Sequence, residues 1–216
     1  MAFADWTFVQ TIGTPEASIT STSPLVGSSS LRLSFTVTIT NAGQAAYVVD
    51  SGVPLGMSKG VIRTLVQQFS TASAIEEYSA GIFFLAEDTD FGSSSSTNAY
   101  SVTLDTENQG VRVRYSDIQD GLGGELAVVT GLGFTVGVTR ALEVQWNNDQ
   151  VGIGGVHIVV RVGTMTDFSD LSEVINLVDP VNPTTDGYEG ICHFNDFAVF
   201  TPPVWYFDST SIRELI

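Results

Sequence analysis

This sequence has few charged residues, and very few of them are positive. Only 15% of its 216 residues are charged, with 8 Lys and Arg against 24 Asp and Glu, for a net charge of −16. Lys59 is the sole lysine. Binding to nucleic acid or to anionic headgroups depends on neutralisation by Lys and Arg, so the composition argues against nucleic acid and membrane partners. Such a surface suits plain solubility, high salt, cations or a partner with a basic patch.

Cysteine is equally scarce, because Cys192 is alone and an intrachain disulfide is excluded. It lies in the apolar run Ile191–Phe194, where we expect a buried thiol that acts as a small hydrophobic residue. No segment approaches the ~20 apolar residues of a membrane span. The amino terminus also lacks the basic start and apolar stretch of a secretion signal. We therefore expect synthesis in a cytoplasm without an export signal.

What the sequence does have is strict alternation of apolar and small polar residues, which runs from Leu31 to Thr40 without interruption. Successive side chains of a strand point to opposite faces, so this run predicts a long strand with one dry and one solvated face. The pattern returns in the Tyr100–Tyr115 hairpin, at Leu142–Asn147 and at Val156–Val162. The sequence therefore predicts an all-β protein built as an antiparallel β-sandwich.

Three segments lack this alternation. Val61–Phe69 fits helix or strand, and its β-branched residues favour strand. Gly81–Leu85 is continuously apolar, as a strand covered on both faces would be. Phe168–Val178 has helical spacing, with Asp170 and Glu173 placed as in a capping box, and predicts at most a short helix. No composition shift divides the chain, so we expect one domain over residues 1–216.

Four segments carry a family resemblance: Ser23–Leu33 with its Gly-Ser-Ser-Ser-Leu-Arg-Leu ending, the strands Leu142–Trp146 and Val156–Gly163, and the final Trp205–Leu215. Their order resembles the concanavalin A-like jelly roll of laminin-G domains and legume lectins. The resemblance implies that the first and last strands lie side by side. It also implies that the last strand carries an aromatic–Asp pair such as Phe207-Asp208.

A narrower resemblance is to uncharacterised virion proteins of tailed bacteriophages that use this sandwich, and it is carried by Gly81–Leu85 and Thr166–Glu173. It implies a non-enzymatic structural role in the virion, as a capsid decoration (cement) protein or a tail or fibre accessory. The implied partners are the major capsid protein, other virion proteins and further copies of this chain. The alternative is a carbohydrate-binding module or lectin that attaches to a host surface glycan, with or without calcium.

Acidic residues raise the question of catalysis and of metal binding. Some proteins of this fold are glycoside hydrolases that place two carboxylates across a sugar bond. The nearest segment, Glu87–Asp90, lacks the downstream Glu of that strand motif, so we assign no catalytic residue and expect no enzyme. Asp88 and Asp90, with Ser93 or Asn98 nearby, are candidate Ca²⁺ ligands because carboxylate and hydroxyl oxygens suit that ion. A plain acidic loop is the favoured interpretation of this segment, and no cofactor other than this candidate Ca²⁺ is considered.

Aromatic residues are the candidates for stacking on sugar rings. Tyr188, Trp205 and Tyr206 are the candidates for exposed rings, and packing in the core is the default expectation for each. Trp146 lies in phase with apolar neighbours and is expected in the core. Of the two histidines, His157 falls on the polar side of its strand, and His193 is expected to be hydrogen-bonded and partly in the core.

Overall fold

A computed structural model describes residues 6–10, 15–21, 24–35, 44–50, 57–69, 78–86, 98–105, 108–117, 124–148, 154–180, 187–195 and 204–215. The strands that these residues form, numbered in chain order, are β1 Trp6–Gln10, β2 Pro15–Thr20, β3 Ser30–Phe35, β4 Gln44–Asp50, β5 Lys59–Gln68, β6 Tyr78–Ala86, β7 Asn98–Asp105, β8 Gly110–Asp117, β9 Glu125–Val129, β10 Arg140–Asn147, β11 Val156–Gly163, β12 Ser172–Asp179, β13 Tyr188–Asn195 and β14 Trp205–Glu214. No segment within these ranges forms a helix of the length and apolarity that a membrane crossing needs.

These strands form two seven-stranded sheets. Sheet I has the order β1-β4-β13-β6-β7-β8-β9, and sheet II has the order β12-β11-β10-β5-β14-β3-β2. The pairings between the described strands are antiparallel. The predicted all-β antiparallel sandwich is confirmed.

The apolar faces of the two sheets pack against each other. Trp146 of β10 stacks on Phe84 of β6 with ring centroids 5.0 Å apart, and Phe84 stacks in turn on Tyr100 of β7. The Tyr100 hydroxyl donates a 2.8 Å hydrogen bond to Oδ2 of Asp179 on β12. Burial and this hydrogen bond raise the pKa of Tyr100 well above its ordinary value. One core cluster thus contains residues of both sheets, while the assignment of 1–216 to a single domain stays a prediction.

The strand predictions for the ambiguous segments are confirmed. Val61–Phe69 lies in and just beyond β5. Gly81–Leu85 lies inside β6 and is buried on both faces of its sheet, as its continuous apolarity predicted. Of the alternating run Leu31–Thr40, β3 contains the first residues, and 36–40 lie outside the described part of the chain.

The short helix predicted at Phe168–Val178 is wrong. Instead of opening a helix, the Asp170 carboxylate closes a turn by accepting hydrogen bonds from the backbone N of Thr164 and of Met165, at 2.8 and 2.9 Å. Strand β12 follows and pairs with β11, with a register shift that leaves Val174 without a partner on β11. A β-bulge of this kind moves the apolar alternation by one residue, which imitates helical spacing in the sequence.

The implied adjacency of the first and last strands is also wrong. The last strand, β14, lies inside sheet II between β3 and β5, whereas β1 is at the edge of sheet I and pairs with β4. The Phe207-Asp208 pair does lie in β14. Phe207 points into the core, and the Asp208 carboxylate accepts hydrogen bonds from the Ser30 hydroxyl and the backbone N of Val26, both at 2.8 Å.

Candidate functional site

The outward side of sheet II carries a row of alternating charges across four neighbouring strands. Strand register places Arg161 of β11 between Glu173 of β12 and Glu143 of β10, and it places Glu143 opposite Arg63 of β5. We call these four residues the charge ladder. Opposite charges directly across antiparallel strands attract each other, so the row supports the pairing of strands that are distant in sequence.

Glu143 is the centre of the charge ladder. Its carboxylate accepts a hydrogen bond from Nε of Arg63 through one oxygen, and one from Nη1 of Arg161 at 2.5 Å through the other. Arg161 also approaches Glu173, with 3.9 Å between Nη2 and Oε2. Burial of Glu143 raises its pKa, but the hydrogen bonds and charges of the two guanidinium groups outweigh burial and leave the pKa below its ordinary value. Glu143 is therefore ionised at neutral pH.

The members of the ladder differ in their exposure to solvent. The Glu143 side chain is 4% exposed, whereas those of Arg63, Arg161 and Glu173 are 39%, 30% and 47% exposed. Neighbouring outward positions on the same strands are apolar and buried: Val61, Leu65, Ala141 and Val159. The aliphatic part of an arginine side chain packs on apolar neighbours while its charged end stays in water. Partly exposed arginines beside buried apolar residues are typical of such packing. The outward side of sheet II thus presents partly exposed polar groups that lie over buried apolar side chains.

Polar contacts extend the same surface from the ladder toward the Asn147 end of β10. On β11, Nε2 of His157 lies 2.8 Å from Oδ1 of Asn176, which agrees with the expectation that His157 occupies a polar position. Gln145 lies beside Glu143 on this face, with its Oε1 3.5 Å from Nη1 of Arg161. Amide and imidazole groups therefore add hydrogen-bonding capacity on one side of the ladder.

The outward side of sheet I is different, because its central side chains are enclosed. Phe83, Ser101 and Arg114 form one row across β6, β7 and β8, and all three are buried. Cys192 is buried nearby, and this burial raises the pKa of its thiol far above the ordinary value. The expectation of a buried thiol is therefore confirmed, and these side chains do not present an open site.

Two of the three aromatic candidates for stacking on a sugar, Trp205 and Tyr206, are buried, which is the default expectation for them. Trp205 is 1% exposed and lies in the core cluster, and Tyr206 is 4% exposed and contacts the ring of Phe69 at 5.0 Å. Trp205 points into the core from β14, which has a neighbouring strand on each side, whereas Tyr206 is buried on the outward side of sheet II, opposite Arg32 and Gln67. Tyr188, at the start of β13, is half-buried. None of the three offers a fully open ring for stacking on a sugar.

Most of the candidate metal ligands cannot be placed. Asp88, Asp90 and Ser93 lie outside the described residues, so the Ca²⁺ site assigned to them stays a prediction. Asn98 is the first residue of β7. Within the described ranges, no group of three or more His, Cys, Asp or Glu side chains has the arrangement of a metal site.

His193 lies deeper than the sequence suggested. It is fully buried on β13, with its ring centroid 6.2 Å from that of Trp205. Burial lowers the pKa of His193 to about 3, so the ring is neutral at physiological pH. His193 is therefore a residue of the core, and not of an accessible site.

The charge ladder was missed in the sequence. Its signal is a single charged residue in the middle of each predicted strand: Arg63 among apolar residues of Val61–Phe69, Glu143 in Leu142–Asn147, and Arg161 in Val156–Val162. Such residues mark outward positions, but only the pairing register shows that they meet in one row.

No protein-family model and no curated protein sequence matches this chain. Solved structures do match it in fold. The PL-14 alginate lyase of Aplysia kurodai has a TM-score of 0.61 at 13% identity, covering 92% of this chain and 87% of that one. The endo-beta-1,4-glucuronan lyase of Trichoderma reesei has a TM-score of 0.59 at 13% identity, covering 98% and 92%. The VIP36 exoplasmic/lumenal domain in its Ca²⁺/Man3GlcNAc-bound form has a TM-score of 0.52 at 13% identity, covering 99% and 87%.

None of these three structures is a virion protein. The virion role, its capsid partners, the homo-oligomer and the virion location therefore stay predictions without support from the structures compared. The similarity extends over nearly the whole chain, and the two antiparallel sheets are those expected from the first resemblance. The fold is thus a concanavalin A-like, lectin-like β-sandwich.

Proposed function

We propose that this protein binds a polysaccharide on the outward side of sheet II and does not cleave it. The observation that carries the proposal is the charge ladder, in which hydrogen-bonding groups are held by one another and remain partly exposed. Groups whose geometry is fixed before binding lose little conformational entropy when a ligand arrives. The fold adds support, because similar structures include a domain bound to Man3GlcNAc and two polysaccharide lyases.

Binding without cleavage is favoured by the state of Glu143. An acid or base catalyst needs a pKa near the working pH and access to the proton that it transfers. Glu143 instead accepts hydrogen bonds from two guanidinium groups, is almost fully buried and has a lowered pKa. These properties suit a residue that positions arginines, and they are poor for proton transfer.

A glycan array probed with the full chain tests the proposal. We expect saturable binding to one class of polysaccharide or oligosaccharide. Binding to none of the glycans on an array that includes bacterial and algal polysaccharides would refute it. The same samples are then followed by ultraviolet absorbance, since a lyase leaves an unsaturated sugar at each cut. A steady rise in that absorbance would show that the protein cleaves the polysaccharide as a lyase, which would contradict the proposal of binding without cleavage.

Calcium dependence is tested in the same assay with a chelator. If Asp88 and Asp90 hold Ca²⁺ at the glycan site, chelation and the double substitution Asp88→Asn with Asp90→Asn should both abolish binding. Binding that survives both treatments would remove calcium from the proposal and leave the sheet face as the site.

A further inference from the structure

Positive charge is concentrated on one face of this very acidic protein. The outward positions of sheet II hold five of the chain's 8 Lys and Arg residues: Arg32, Lys59, Arg63, Arg161 and Arg213. The same positions hold four of its 24 Asp and Glu residues: Glu143, Glu173, Asp208 and, by its register with Ser34, Glu16. The Asp170 carboxylate lies over Gly163 on the same side of the sheet and adds a fifth negative charge. This face is therefore close to neutral, while the remainder of the chain carries the negative charge.

Arg63 is well placed to contact an anion on this face. Glu143 accepts from the Nε edge of its guanidinium, and within the described part of the chain neither terminal nitrogen of Arg63 has an acceptor. A guanidinium binds a carboxylate most strongly through two parallel N–H groups, which the terminal nitrogens supply. Because Glu143 fixes the other edge of the group, the terminal nitrogens of a 39% exposed side chain are oriented before a ligand arrives.

Two further cations lie close to Arg63 on the same face. Arg213 of β14 is exposed and lies opposite Val61, one outward position along β5 from Arg63. Lys59 lies one outward position farther on. Alternate residues of a strand are about 6.6 Å apart, so Arg63 and Lys59 lie about 13 Å apart along β5. Arg213 lies beside the midpoint between them, on β14 about 4.8 Å away, and the three cations form a short zigzag row along the two strands. A line of cations matches a linear polymer with repeated anionic groups better than it matches a single anion.

We propose that the polysaccharide bound by this protein is anionic, a polymer of uronic acid residues whose carboxylates bind to Arg63, Arg213 and Lys59. This inference rests on the proposed function and specifies its ligand class. Glu143 acts as a positioning residue that orients Arg63 and Arg161. A protein of net charge −16 repels polyanions in general, so the local charge of this face is what permits the contact.

The test measures binding of the full chain to polygalacturonate and to dextran, a neutral polymer, at low ionic strength. We expect binding to polygalacturonate, and affinity that falls as NaCl is raised. The double variant Arg63→Gln with Arg213→Gln should lose about tenfold or more in affinity, because it removes two charge-assisted contacts. The matched control is Arg112→Gln, on sheet I, which removes the same kind of charge from an ion pair with Glu125 and should bind as the unchanged chain does.

Arg63→Gln also alters the ladder, so a second variant keeps the ladder intact. Lys59→Gln with Arg213→Gln should weaken binding while leaving the melting temperature unchanged. Equal affinity for dextran and polygalacturonate would overturn the proposal of an anionic ligand. So would a loss of affinity in Arg112→Gln as large as that in the double variant. Either result would leave the proposal of polysaccharide binding unchanged. No binding to any polysaccharide would overturn both proposals. The chain could instead form dimers, bind no polygalacturonate and lose the dimers in the double variants. That result would assign this face to a second copy of the chain and would also overturn the inference.

Discussion

Asp208 joins two segments that lie far apart in the sequence. Its carboxylate is nearly buried and accepts hydrogen bonds from the backbone N of Val26 and the hydroxyl of Ser30 through Oδ2, and from the backbone N of Ser209 through Oδ1. Both oxygens therefore accept hydrogen bonds. An ionised carboxylate has two acceptor oxygens, as this site requires, whereas an amide of the same shape has one acceptor and one donor.

The substitution Asp208→Asn should lower the free energy of unfolding by about 1–3 kcal/mol. In either orientation the amide NH₂ replaces an oxygen that accepts a hydrogen bond, so a donor near Val26 or Ser209 loses its partner. Urea denaturation measures the change. The substitution Thr135→Ala, at an exposed position, serves as the control and should lie within experimental error. An unchanged midpoint in Asp208→Asn would show that these hydrogen bonds contribute little.

His193 predicts a dependence of stability on pH. Burial lowers its pKa to about 3 from an ordinary 6.5. Between these values the unfolded chain binds a proton that the folded chain excludes, so stability falls on acidification below pH 6.5 and is regained as pH rises. One such group contributes at most about 1.4 kcal/mol per pH unit. Denaturation at pH 7, 6 and 5 should show a steeper loss in the unchanged chain than in His193→Gln. Identical slopes would contradict the prediction.

At the level of strands, alternation in the sequence was sufficient to predict most elements. Arg63, Glu143 and Arg161 each interrupt an apolar strand and lie on its outward side, as period-two alternation requires. Strand β12 was not predictable in this way, because the bulge at Val174 changes the phase of alternation in the middle of the strand. Alternation is a property of one strand, and it fails where a partner strand determines the local geometry.

The charge ladder could not be predicted for a related reason. Its residues Arg63, Glu143, Arg161 and Glu173 come from four strands, and nothing local to any of them encodes which residue lies opposite which. A shift of one residue in any pairing would turn that strand's side chains to the other face. The sequence likewise does not show whether Trp205 and Tyr206 are exposed or buried, because it does not show that β14 is central in its sheet.

Gly60 of β5 lies very close to the ring of Trp146, and the alternation of residues in the sequence does not show this contact. A Cβ at this position would lie 2.5 Å from the indole ring of Trp146, which is stacked on Phe84. Gly60→Ala should therefore displace Trp146 and lower the free energy of unfolding by about 1–3 kcal/mol, the usual cost of overpacking a core. Denaturation followed by tryptophan fluorescence measures both effects. Thr135→Ala, at an exposed position, is again the control and should cost less than 1 kcal/mol. A stable Gly60→Ala chain would show that the ring moves at little cost.

For the molecule as a whole, the uneven distribution of charge has two opposite consequences. Mutual repulsion of a net charge of −16 opposes the compact state, and it is strongest at low ionic strength. The outward side of sheet II does not share this excess of negative charge, because its strands hold five cations and four carboxylates. The same acidic surface that limits stability at low salt therefore leaves one face on which a polyanion can bind.

Salt should consequently affect folding and binding with opposite signs. Raising NaCl from 10 to 150 mM shortens the Debye length from about 30 to about 8 Å, which screens self-repulsion and should raise the melting temperature by about 2–4 °C for each kcal/mol gained. The affinity for polygalacturonate should fall over the same range. In Arg63→Gln with Arg213→Gln, the melting temperature should still rise with salt, whereas the salt dependence of binding should become shallower. If the double variant kept the full salt dependence of binding, the polyanion would contact cations elsewhere, and the face of sheet II would not be its site.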